Sequence, residues 1–314
     1  MRRYVFLMAA PMLFVIANSA SADVMIKSKA AMGQMLGIGG SESETSVYIK
    51  GDKNRTETTT SFKSQMFQMS KQDMTSRSTE IIRLDKEVKW QLEDKDKSYR
   101  EIFLKSLKPS IGDYKGQESS PAMSSPDDEA EDYTWTVTVD ISENGEVVNG
   151  FKSNKAVVNA IGVNKEDVSD TMFVTLKMWR SEELPNIDEI EDFHKKFSEI
   201  AGFDEDVSSM RMEEYSSGFG KEFEESAKKI EQMEGYQVKT EMVVQKSSSG
   251  EGGDEESDMS GMMKGLMGVE KGPGEESGSD RITVISITDE IISVDNSKID
   301  DGMFEIPEGY IRKE

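Results

Sequence analysis

The sequence predicts an α+β fold: a long antiparallel sheet of about eleven strands with a helix pair inserted late and laid over one face. Three observations carry this. Many short segments alternate apolar and polar side chains with a period of two. Polar turns of a few residues join several of them. Only the stretch after Leu184-Pro185 switches to helical spacing.

Strands are expected at Val24–Lys29, at Thr45–Lys50 and Asn54–Thr60 around the turn Gly51-Asp52, and at Glu80–Leu84. Val88, Trp90 and Leu92 alternate into Glu93-Asp94-Lys95-Asp96-Lys97, and Ser98–Phe103 returns as a hairpin. Tyr133, Trp135, Val137 and Val139 point one way and Thr134, Thr136 and Thr138 the other, a half-buried strand with a wet face. Further strands are expected at Phe151–Val158, Thr171–Trp179, Tyr236–Gln245, Arg281–Thr288 and Ile291–Asp295.

The first helix begins after Asn186, a residue able to cap it, with Asp188 and Glu189 in its positive first turn. Ile187, Ile190, Phe193, Phe197 and Ile200 form one apolar stripe, and Gly202 sits where a helix stops. A second helix is expected over Met210–Glu234, with Phe219, Phe223, Ala227, Ile230 and Met233 inward and Gly235 after it.

Residues 1–22 read as a cleavable export signal: Arg2-Arg3, an apolar run from Tyr4 to Ile16, then Ala20-Ser21-Ala22 with small residues at the cleavage point. The run is shorter than the roughly 20 residues that span a bilayer, and no later stretch is long enough. The expectation is a soluble exported protein, periplasmic in a bacterium with two membranes, cleaved after Ala22. The domain then spans 23–314, with low-complexity inserts at 105–131 and 247–280. These are rich in Ser, Gly and acid and too poor in apolar residues to offset the cost of ordering.

The chain has 314 residues, 61 acids, 38 bases, one histidine and no cysteine. A net charge of −23 argues against a nucleic-acid or anionic-membrane binder. Lacking cysteine, it has no disulfide, no thiol nucleophile and no lipidated cysteine anchor.

The segments Ser46–Glu57, Ile82-Arg83-Leu84-Asp85 through Trp90 to Asp96-Lys97-Ser98-Tyr99, Asn149-Gly150-Phe151-Lys152, Trp179 ahead of Leu184-Pro185, and Met303-Phe304-Glu305-Ile306-Pro307-Glu308-Gly309-Tyr310 occur in an order that resembles an exported bacterial family of the DUF4412 type. That family is similar to the LolA/LolB-like half-barrel proteins. The resemblance implies a strongly curved antiparallel sheet, an incomplete barrel, whose concave face the helices cover. In LolA-like carriers that concavity holds lipoprotein acyl chains. The resemblance implies no settled activity for this branch, and the missing cysteine excludes a LolB-type anchored role.

The leading site candidate is an apolar cavity. Met172, Val174, Leu176 and Met178 share one strand face; Trp135, Val137 and Val139 share another; Phe193 and Phe197 lie on the helix stripe. Together they are expected to enclose a lipid acyl chain, each buried methylene contributing about 0.8 kcal/mol. Filling of the same space as ordinary core stays open, because periodicity does not separate the two.

The 21 methionines include Met32-x-x-Met35, Met66-x-x-Met69 and Met259-x-x-Met262. Thioethers suit Cu(I), yet they also make adaptable apolar contacts. An envelope-protein scaffold using these Met/Gly and acidic loops is therefore the alternative function. His194 stands among solvated charges, with no Gly-x-Ser-x-Gly elbow to complete a triad. No calcium loop, phosphate loop or dinucleotide fingerprint is present. The reading is a non-enzymatic protein with no cofactor and no metal.

Overall fold

The computed structural model describes residues 23–33, 39–63, 74–107, 132–203, 226, 228–230, 232–247 and 281–313. The expected signal peptide, nearly all of both inserts, most of the second helix, and Met35, Met66, Met69, Met259 and Met262 lie outside them.

Among the described residues twelve strands form one sheet. They are β1 (Val24–Met32), β2 (Gly40–Lys50), β3 (Lys53–Lys63), β4 (Met74–Arg83), β5 (Val88–Glu93), β6 (Ser98–Phe103), β7 (Tyr133–Val148), β8 (Phe151–Asn164), β9 (Thr171–Ser181), β10 (Tyr236–Ser247), β11 (Arg281–Asp295) and β12 (Ile311–Arg312). Their order is β12-β6-β5-β4-β3-β2-β1-β11-β10-β9-β8-β7. Two meanders, β1–β6 and β7–β11, are thus joined where β1 pairs with β11. Neighbours are antiparallel except β12, which runs parallel to β6. Among the described residues the ends of the order do not pair, so the sheet is not closed there.

Every strand expected from alternation is present. Arg281–Thr288 and Ile291–Asp295, however, are one strand. The intervening Asp289-Glu290 continues the ladder because Glu290 lies opposite Lys29 on β1 and Lys239 on β10. Opposite charges on both flanks remove the reason for a break. The two-residue β12 was too short to leave an alternating signal. Lys105–Leu107, expected at the start of an insert, closes a turn of 3₁₀ helix with Leu104.

The α-helix α1 spans Ile187–Ala201. Its apolar stripe packs Ile190 and Phe193 against Val24, Ile26, Ile49, Leu84 and Leu104. Gly202 ends it with φ +75°, its N–H donating to the carbonyl of Ser198 at 2.8 Å. The expected Asn186 side-chain cap does not form. Asn186 is itself left-handed (φ +56°), and its carbonyl instead accepts the first helical bonds, from Glu189 and Ile190. Glu189 Oε1 accepts from the Gly51 N–H at 3.0 Å, and Lys196 reaches Asp52 at 3.1 Å. These bonds fix α1 to the β2–β3 turn. Of the second expected helix, Ser226 and Lys228–Ile230 are helical.

Register defines two sheet faces. The helix face carries Val24, Ile26, Val47 and Ile49 under α1. The opposite face of β2–β6 carries Ile81, Val88, Trp90 and Leu92, covered by the C-terminal strap 296–310 through Ile299, Met303, Phe304, Ile306 and Tyr310. Cations hold the strap along its length. Lys50 Nζ donates to the Ile299 carbonyl at 2.8 Å, Lys53 pairs with Asp301 at 2.8 Å, and Arg55 donates to the Met303 carbonyl at 2.9 Å. Arg83, buried beneath it, forks onto Asp85 and bonds both Glu305 and the Phe304 carbonyl. At the strap's end Tyr310 donates to Asp94, and beyond it Lys313 pairs with Asp96 at 3.0 Å. The Asp94-x-Asp96 turn is therefore a docking point for the chain's end.

Candidate functional site

Seven of the nine expected cavity residues come together. Antiparallel register places Val137 opposite Ala160, Ala160 opposite Val174, Val174 opposite Val244 and Val244 opposite Ile285. The next row runs Val139, Val158, Leu176, Met242, Ile287. Met178 lies opposite Ala156, and Met172 opposite Gly162. Residues paired directly across strands share a sheet face, so these rows form one apolar stripe on the helix face of β7–β11. Ile230 and Met233 pack on it. Phe193 and Phe197 do not join it; they belong to the cluster under α1.

Trp135 closes one end of the stripe. Its indole lies over Gly162, where an added Cβ would stand 2.8 Å from the ring. Tyr133 stacks at a tilt 5.9 Å from Trp135 and donates its hydroxyl to Asp170 at 2.7 Å, while Lys246 pairs with the same carboxylate at 2.9 Å. Burial, reinforced by the bond to Asp170, pushes the Tyr133 phenol up. Asp170 holds Lys246 more firmly protonated, against the opposing effect of burial. The apolar stripe thus ends in a polar trio.

Arg180 ties the covering segment to the sheet, Nε donating to the Gly235 carbonyl at 2.8 Å and Nη1 to that of Ile230 at 3.3 Å. Gly235 has φ +91°, and a Cβ there would meet the Ser181 backbone at 2.5 Å. Glycine is required at that point for both conformation and space.

Past β11 the same face changes character, although Ile287 still meets Met32 and the row of Met178 already turns polar at Thr240 and Asp289. Ala30 on β1 lies opposite Ser43, Ser43 opposite Thr60, and Thr60 opposite Ser76. Ser28 lies opposite Thr45, and Thr45 opposite Thr58. Hydroxyls bond across the strands, Ser43 with Thr60 at 2.9 Å and Thr45 with Thr58 at 3.1 Å. One face therefore passes from an apolar stripe to a hydroxyl ladder.

Sequence reasoning missed Ala160 and Gly162 of β8, because the expected strand stopped at Val158, and it did not assign Ala156, inside that strand, to the cavity. The available signal was Gly162 itself, since a strand-interior glycine marks a close approach. His194 lies on α1 beside Phe193, ring centroids 6.2 Å apart. Among the described residues no group of three His, Cys, Asp or Glu side chains is placed to hold a metal ion, and no helix is long and apolar enough to cross a membrane. No family model matches the chain, and no curated protein matches it.

Proposed function

We propose that this chain is a non-enzymatic exported protein that binds an amphiphile, its acyl chain on the Trp135–Ile285 stripe and its head group toward the hydroxyl ladder. A LolA-like half-barrel is the architecture in which such a face becomes a concave slot. The observation that carries the reading is the change across one sheet face, from Val, Leu and Met on β7–β10 to Ser and Thr on β2–β4. An alkyl chain gains about 0.8 kcal/mol per methylene buried on the first part, and a polar head keeps hydrogen-bond partners on the second.

Export to the periplasm after cleavage at Ala22 is part of the same proposal. In its support, the residues that follow that point are held in the domain: Asp23 Oδ2 accepts from the Ile299 N–H at 2.6 Å, and Val24 is fully buried.

Native mass spectrometry of protein purified from its own periplasm tests the reading. Bound lipid is expected, released by Val139→Glu. A clean apo mass, together with no binding of a fluorescent fatty acid, would overturn it.

A further inference from the structure

We infer that β7 is a self-association edge, where a second copy of this chain adds its own β7 antiparallel across a twofold axis. The two ends of the sheet are built differently. At one end β12 is two residues long and carries exposed Arg312, with Lys313 next to it and Arg100 on the neighbouring β6. Short strands and positive charges are the usual means of preventing edge pairing. At the other end β7 is 16 residues long and contains no Pro, Lys or Arg. Among the described residues β8 is its one partner. From Tyr133 to Ser142 its register is unbroken, and a bulge interrupts it only before Glu146.

The apolar stripe reaches this edge uncompleted. Val137 and Val139 are partly buried and Ile141 is 45% exposed. A twofold axis normal to the sheet keeps like faces on one side. The row Trp135, Val137, Val139, Ile141 of one copy then meets the same row of the other, and the stripe continues across the junction. On the reverse face Thr136 meets Thr138 when the pair is centred on Val137, and Thr138 meets its own copy when it is centred on Thr138, a favourable cross-strand pairing.

Charge selects the same arrangement in a chain whose net charge is −23. With the pair centred on Val137, Asp140 lies opposite Thr134; centred on Thr138, it lies opposite Thr136. Neither register sets carboxylate against carboxylate. A centre at Asp140 would do so, and the bulge breaks the ladder toward Glu143 and Glu146. The strand is thus self-complementary over its regular part alone.

The chain's lack of cysteine makes the test direct. The polypeptide from Asp23 to Glu314 is followed by sedimentation velocity over a concentration series, and Val137→Cys, Thr138→Cys and Arg100→Cys are each exposed to mild oxidant. The expected result is a doubling of mass with concentration. One of the two β7 variants should be captured as a disulfide-linked dimer, while Arg100→Cys stays monomeric. A monomer at every concentration would overturn the inference. So would a dimer in which neither β7 variant cross-links beyond Arg100→Cys, because the copies would then meet elsewhere.

Discussion

The strap and the apolar stripe close their faces by different chemistry. On the strap face, Phe304 is 0% exposed, and Lys50, Lys53, Arg55 and Arg83 take up the carbonyls and carboxylates on either side of it. Directional bonds at several points admit one pose. On the stripe, Ile230 and Met233 meet Leu176, Met178, Met242 and Ile285 mainly through apolar contact, with Arg180 bonding the Ile230 and Gly235 carbonyls. Such surfaces tolerate repacking provided volume is kept, and methionine adapts readily to new shapes. Under the proposed amphiphile binding, a face that exchanges its own filler for a ligand needs the second chemistry. A face that must stay shut needs the first.

Three tryptophans allow the two faces to be watched separately, because Trp90 lies under the strap, Trp135 on the stripe and Trp179 in the α1 cluster. The largest expected effects come from truncating each centre. Phe304→Ala should cost about 3–5 kcal/mol and Leu176→Ala about 2–5 kcal/mol in denaturant unfolding. The contrast sharpens in the presence of a fatty acid. Ligand is expected to bind the cavity left at Leu176 and recover part of that loss, and to leave Phe304→Ala unchanged. Equal recovery, or none, would break the distinction between the faces.

Gly162→Val is expected to cost about 1–3 kcal/mol by overpacking. Its branched side chain occupies the place of the Trp135 indole, so the emission of Trp135 should shift to longer wavelength while that of Trp90 holds. An unchanged spectrum would mean the ring has room that the 2.8 Å approach denies.

How much of this was legible in the sequence depends on the range of the interaction. Alternation within a strand found β5, β6, β7 and β9, since it needs only neighbouring residues. The helix stop at Gly202 was legible for the same reason. The set of nine residues expected at the cavity was only partly legible. Register decides which faces meet, and the link from Val137 to Ala160 to Val174 is set by pairing between strands, not by either strand alone. Phe193 and Phe197 were misplaced because α1 reaches back to β1 and β2. Arg83 and Glu305, 222 residues apart, carried no chemical signal until the fold joined them. Several motifs behind the family resemblance, Ile82–Asp85, Asp96–Tyr99 and Met303–Tyr310, now have a shared structural role: they build the strap and its seat.

Acid should open the strap first. The bond from Arg83 holds the Asp85 carboxyl below its usual range. Burial pushes Glu305 up, but its bonds to Arg83 and Lys86 outweigh this and hold it low. Folded values below the unfolded ones mean that this stability is present above the unfolded carboxylate values of about 4. It is lost as pH falls through the lower folded values. Because both carboxylates are partly exposed, the contribution is at most about 1 kcal/mol. Glu305→Gln should therefore flatten the acid limb read from Trp90 and leave the limb read from Trp135 in place.

The smallest effect separates position from stability. Lys196 bridges Asp192 at 3.0 Å and Asp52 at 3.1 Å, all three groups well exposed. Lys196→Met should change unfolding free energy by no more than about 0.5 kcal/mol, the range of surface pairs. The bond from Gly51 to Glu189 still holds the first turn of α1. What should change is the fraying of the helix's later turns, seen as faster amide exchange from Lys196 to Ala201. A loss of stability approaching that of Phe304→Ala would show that α1, although it covers Ile49 and Leu84 through apolar contact, is locked by charge as the strap is. The division between faces closed by bonds and faces closed by packing would then no longer follow the two sides of the sheet.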